Sequence, residues 1–118
     1  MKNSVWKIFG AYLLLLWFIV ISQQSFGQVT VVQYNANWNE ANKVSWLKKL
    51  SAVDKVKDVC IAHNPEQQKK HEIVVVPTII VFKDGEEVKR YQADISFTMK
   101  ATREEIQEFI DELIMSDF

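Results

Sequence analysis

The sequence predicts an α/β domain with a central mixed β-sheet flanked by helices, in the order β-α-β-(α)-β-β-α. Three observations predict it. Residues 28–35 are dominated by β-branched and aromatic side chains, the composition of a strand buried on both sides. Asp84-Gly85 separates two β-rich runs, a strong hairpin signal. Residues 102–114 combine a helix-start signal with apolar residues at helical spacing.

The elements follow in order. After the first strand, residues 39–53 carry Ala41, Val44, Leu47 and Leu50 at helical spacing, which predicts a helix. Residues 56–62 read as a second strand, joined to the first through that helix and therefore parallel to it. Pro65 opens a short helix running to about His71, because proline suits the first turn. Residues 78–83 and 86–91 are strands on either side of the Asp84-Gly85 turn and are antiparallel. The polar segment 92–101, with Phe97 and Met99, reads as a connecting loop. Thr102 and Glu105 form a capping box, and Ile106, Phe109, Ile110, Leu113 and Ile114 make one apolar stripe that must face the sheet.

The first 27 of the 118 residues stand apart. Lys2 and Lys7 precede an apolar run of 14 residues, 8–21, and Ser25 and Gly27 place small residues before Gln28. This is the layout of a secretory signal peptide cleaved after Gly27, and it predicts export to the periplasm or the extracellular space. A membrane span needs about 20 residues, so the run is short for one. The rival reading retains the segment as an anchor, with Trp6, Trp17 and Phe18 at the interface. Residues 28–118 are one domain, and a chain of 91 residues buries about 60–65% of its unfolded surface.

Composition excludes several classes. Two of the 14 basic residues and none of the 15 acidic ones lie in residues 1–27. The remainder carries a net charge of −3, which is neither a nucleic-acid surface nor a polybasic membrane patch. Membrane contact is expected only if the N-terminal segment is retained. His63 and His71 are the only histidines, and Cys60 is the only cysteine. No zinc pattern results and no intrachain disulfide is possible, so no metal or other cofactor is expected. Cys60 lies between Val59 and Ile61 in the second strand, where a free cysteine acts as a small buried hydrophobe. The functional alternative is a peroxide-sensing or dimer-forming thiol.

Residues 36–43 read Ala-Asn-Trp-Asn-Glu-Ala-Asn-Lys, Val76-Pro77-Thr78 follows some forty residues on, and residues 82–86 read Phe-Lys-Asp-Gly-Glu. The first stretch is similar to the thioredoxin active-site motif Ala-x-Trp-Cys-x-x-Cys-Lys, the second to that family's Val-Pro-Thr loop with its cis proline, and the third to its Phe-x-x-Gly-Glu hairpin. In this order and spacing, from about Val29 to Ile114, the chain resembles the thioredoxin-like family. The resemblance implies that family's fold. It also implies a groove beside the cis-Pro loop, in which the backbone of the residue before the proline pairs with an extended peptide.

The departures fall on the chemistry. Asparagine stands at both cysteine positions, Asn39 and Asn42, and the position of the family's buried acid aligns with Gln33. A carboxamide is not a nucleophile at neutral pH and cannot exchange disulfides. No catalytic residue is therefore expected. Asn39 suits the N-cap of the helix that follows, and Asn42 is expected to be solvated in its first turn. Trp38, Val76 and Pro77 are the candidate peptide-binding residues. Trp38 is either an aromatic packed under the loop or a platform beside the groove, and Pro77 otherwise only shapes the strand entry. The expected function is a redox-inactive exported module that binds a protein or extended peptide as adaptor, holdase or assembly factor. The alternatives are an atypical thiol-disulfide oxidoreductase using Cys60 and a membrane-anchored interaction module.

Overall fold

Strand β1 (Val29–Asn35) runs through the middle of a four-stranded sheet whose order is β2-β1-β3-β4. The computed structural model describes residues 27–116, so the expected signal peptide, save its last residue Gly27, lies outside the described residues. Strand β2 (Lys55–Cys60) pairs parallel to β1, with Thr30 opposite Lys55 and Asn35 opposite Cys60. Strand β3 (Thr78–Lys83) pairs antiparallel to β1, and β4 (Glu86–Gln92) antiparallel to β3. The expected mixed sheet is present. The inner strands are the apolar runs, with Val31, Ile79, Ile80 and Val81 fully buried. The edge strands carry Lys55, Lys57, Glu86, Glu87 and Lys89, and charge on an edge discourages pairing with a second chain.

Two helices end as their local signals require. Helix α1 (Pro65–Lys70) has proline at its start. Helix α2 (Arg103–Met115) is capped by Thr102, whose hydroxyl accepts from the Glu105 N–H at 3.2 Å. Its Ile106 and Ile110 are fully buried with Val31, Ile79 and Val81 on one face of the sheet. Burying a side chain of this size contributes about 1.5–3 kcal/mol. The other face is covered by Ile73 and Val76 against Val32, Tyr34 and Ile80. At the hairpin, Asp84 and Gly85 both have positive φ (53° and 83°), the backbone that a two-residue hairpin turn demands.

The predicted helix over residues 39–53 does not form. In its place stand two short 3-10 helices, Asn37–Asn42 and Leu47–Lys49, with extended backbone at Lys43 between them. The apolar spacing was real, since Val44, Leu47 and Leu50 are all buried in one cluster. The helix fails because the main chain of Val44 is already engaged. Gln33, itself 1% exposed, accepts from the Val44 N–H at 2.8 Å and donates to the Val44 carbonyl at 3.0 Å. Those are the two groups an α-helix would have used there. Asparagine at 37, 39 and 42 adds little helix propensity to resist this.

On the second face, His71 packs between the rings of Tyr34 and Phe82, each 5.5 Å away. Arg90 donates to the His71 and Glu72 carbonyls and pairs with Glu87, which holds the Glu87 carboxyl below its usual range. Burial, then the charge of Lys70, holds the His71 imidazole below its ordinary value; Arg90 acts in the same sense and Glu87 opposes them. The folded state therefore binds fewer protons at His71 than the unfolded state. That stability is complete above the unfolded value of about 6.5 and is lost as pH falls through the lower folded value. The melting temperature should fall between pH 7.5 and pH 5, and His71→Gln should flatten that drop. A drop of equal size in the variant would assign it to other groups.

Candidate functional site

The site is built where the end of β1, the first 3-10 helix, the entry to β3 and the loop after β4 converge. β1 delivers Gln33 and Asn35 with their side chains buried, and the chain then turns at Ala36 into the 3-10 helix. The Val76–Pro77 bond is cis, and Val76 is buried. Ala93 donates to the Pro77 carbonyl at 3.1 Å, which fixes the start of the loop that leaves β4.

Asn39 lies at the centre. It is 4% exposed and sits inside the 3-10 helix with non-helical backbone (φ −113°, ψ 21°). Ala36, not Asn39, caps that helix, so the expected capping role is corrected. The side chain turns inward because polar partners wait there. Its amide donates to Asn35 Oδ1 at 3.1 Å and to the Phe97 carbonyl at 3.1 Å, and lies 3.4 Å from the Val76 carbonyl. Its Oδ1 accepts from Asn42 Nδ2 at 2.8 Å. Asn42 is exposed, but its amide is tied into this network rather than left only to solvent. Asn35 closes the circuit by donating to the Asn39 main-chain carbonyl at 3.2 Å. An amide has two hydrogens, and three oxygens face this one. The Val76 carbonyl, at the longest distance, is held least.

The remaining candidates fall around this network. Trp38 is 64% exposed and meets the ring of Phe97 edge-on, with centroids 5.1 Å apart. It is therefore a surface aromatic and not one packed under the loop. Gln33 is the clamp on Val44 and also donates to Asp58 Oδ1 at 3.0 Å. Cys60 is half-buried at the last position of β2, which corrects the expected mid-strand burial. It lines a cleft of about 290 Å³ together with Asn35, Asn37, Glu40, Lys43 and His63. Lys43 lies 3.7 Å from Asp58 and 3.8 Å from Glu40 across that cleft. Asn35 and Phe97 were not singled out from the sequence as site residues. Their signals were faint: a polar residue closing a buried strand, and an aromatic in a polar loop.

Comparison of the whole chain with solved structures returns thioredoxins. A thioredoxin of Fasciola hepatica is similar at 28% identity, covering 79% of this chain and 86% of that one, with a TM-score of 0.53. A thioredoxin of Nicotiana alata is 19% identical over 82% of this chain and 83% of that one, with a TM-score of 0.54. Thioredoxin-2, described as a component of malaria parasite protein secretion machinery, is 17% identical over 73% of this chain and 84% of that one, with a TM-score of 0.56. No protein-family model and no curated protein matches the sequence.

The chain has a thioredoxin-like fold. Within that fold, Asn39 and Asn42 bond to each other through their side chains. The first of them reaches the carbonyl that precedes the cis proline. Asn35, Asn39 and Asn42 thus form a carboxamide network beside cis-Pro77, and Trp38, next to Asn39 in the chain, is exposed.

Proposed function

We propose that this thioredoxin-like domain is exported, does no disulfide exchange, and binds an extended peptide or partner protein in the groove beside Trp38 and Val76-Pro77. One observation carries the reading: where the resemblance puts two thiols, Asn39 and Asn42 are hydrogen-bonded to one another beside cis-Pro77. Neither side chain can attack a disulfide. What the groove retains is binding chemistry. The Val76 carbonyl is the least firmly held of the three acceptors around Asn39, which leaves it a lone pair for a peptide N–H in β fashion. Trp38 offers a large, rigid apolar surface of the kind that dominates binding energy. Such a module would serve as adaptor, holdase or assembly factor.

The test is capture of exported proteins by the full chain, compared with Trp38→Ala and Val76→Asp. Loss of the captured partner in both variants is expected. Retention in both would move binding to another face.

A second reading, an atypical oxidoreductase working through Cys60, gains from one feature. The thiol is half-buried and lines a cleft with His63, where a fully buried sulfur had been expected. Insulin reduction separates the two readings. No turnover above buffer is expected, and Cys60→Ser should change nothing. Turnover that disappears with Cys60→Ser would put the second reading in place of the first.

A further inference from the structure

We propose that residues 94–98 form a latch on this groove: Phe97 fills it as an internal stand-in, and an extended peptide enters by putting its own aromatic side chain and main-chain carbonyl in Phe97's place. The proposal rests on the groove reading above and adds how the groove is closed and what opens it.

Phe97 makes two contacts that a bound peptide residue would make. Its ring stands edge-on to Trp38, and its carbonyl accepts from the Asn39 amide at 3.1 Å. It does so with φ at 60°. A bulky residue holds that left-handed backbone only where its surroundings impose it. Part of the imposition is a compact turn, in which the Phe97 N–H donates to the Asp94 carbonyl at 3.0 Å and the Ser96 N–H to Asp94 Oδ1 at 2.9 Å. The rest comes from Asn39 and Trp38 across the groove. Both ends of the segment are fixed, Ala93 through its bond to the Pro77 carbonyl and Met99 by packing on the core. The turn between them is largely exposed, with Ile95 96% and Phe97 40% accessible.

Opening leaves no amide proton stranded. When the Phe97 carbonyl departs, Asn39 still faces Asn35 Oδ1 and the Val76 carbonyl, two acceptors for two hydrogens. A peptide that enters must cover the face of Trp38 and supply the missing carbonyl. An aromatic residue in extended conformation does both.

The full chain would be titrated with two blocked peptides, Ac-Thr-Val-Phe-Val-Thr-amide and the same peptide with alanine at its centre. The Trp38 indole N–H resonance reports binding. Two variants open the latch differently. Phe97→Ala removes the ring and keeps a Cβ that disfavours positive φ, and Phe97→Val removes the ring and disfavours positive φ further. A groove closed four-fifths of the time weakens apparent affinity about fivefold. Both variants should therefore bind the phenylalanine peptide about fivefold or more tighter than the wild type, and the wild type should prefer it to the alanine peptide. If the valine variant does not fold, the alanine variant decides. Equal affinity of wild type and variants, with Trp38 shifting in all, overturns the latch and leaves the groove reading standing. Equal affinity of the wild type for the two peptides also overturns it. No Trp38 shift in any protein overturns the latch and the groove reading together.

Discussion

Replacing Gln33 by leucine should lower the stability of the domain by about 2–4 kcal/mol, since each buried main-chain group left without a partner costs about 1–3 kcal/mol. Leucine fills much of the same space, so cavity formation contributes little. The loss falls on Val44, whose N–H and carbonyl both bond to the Gln33 side chain, and on Asp58, which accepts from it. Urea unfolding measures the effect. The midpoint should shift with an unchanged slope, because the surface exposed on unfolding is the same. A domain of this size has a total stability of only about 5–13 kcal/mol, so the variant forfeits a large share of it. Gln33→Glu sharpens the test. The new carboxylate can still accept from Val44 N–H but has no donor for the Val44 carbonyl, and it faces Asp58. It should be least stable at neutral pH and recover on acidification, when a protonated carboxyl can donate. Near-wild-type stability of Gln33→Leu would mean that Val44 finds other partners, the simplest being those of the helix that the apolar spacing suggested.

That helix shows where the sequence was and was not legible. The hairpin, the two α-helices and the inner strands were readable because their determinants are local. Asp84-Gly85 contains its own turn, Thr102 finds its partner three residues on, and the β-branched runs carry their burial with them. Residues 39–53 failed because the deciding partner, Gln33, lies in the preceding strand and acts through a side chain. The same holds for Asn39. Its residue type suits a cap, and nothing nearby in the chain reveals that Asn35, Val76 and Phe97 present oxygens to it. The two motifs do meet in space, with the Asn39 amide beside the Val76 carbonyl. The internal arrangement of the site is set by contacts up to 58 residues apart, and local pattern does not carry these.

Asn39 should be the most sensitive position of the site, and two substitutions separate why. Asn39→Leu deletes the donor to Asn35 Oδ1 and to the Phe97 carbonyl and the acceptor for Asn42. At about 1–3 kcal/mol for each buried group left unpaired, and with Asn42 free to turn to solvent, a loss of about 2–4 kcal/mol is expected. Asn39→Asp is nearly isosteric and keeps the acceptor for Asn42. It turns the amide nitrogen into an oxygen facing three others at 3.1–3.4 Å. Like partial charges and burial both oppose ionisation there, so the introduced carboxyl should titrate well above the ordinary aspartate value of about 3.9. Its folded value is raised, so the folded state binds the extra proton more tightly than the unfolded state. The variant should therefore come nearest to wild-type stability below pH 4 and fall away as pH rises through the folded value. By pH 7 it should be the less stable of the two variants, because it buries a charge without a partner. Chemical denaturation at pH 4 and pH 7 reads both outcomes. If Asn39→Asp shows the same pH dependence as the wild type, the side chain is not held among those oxygens, and the carboxamide network does not form.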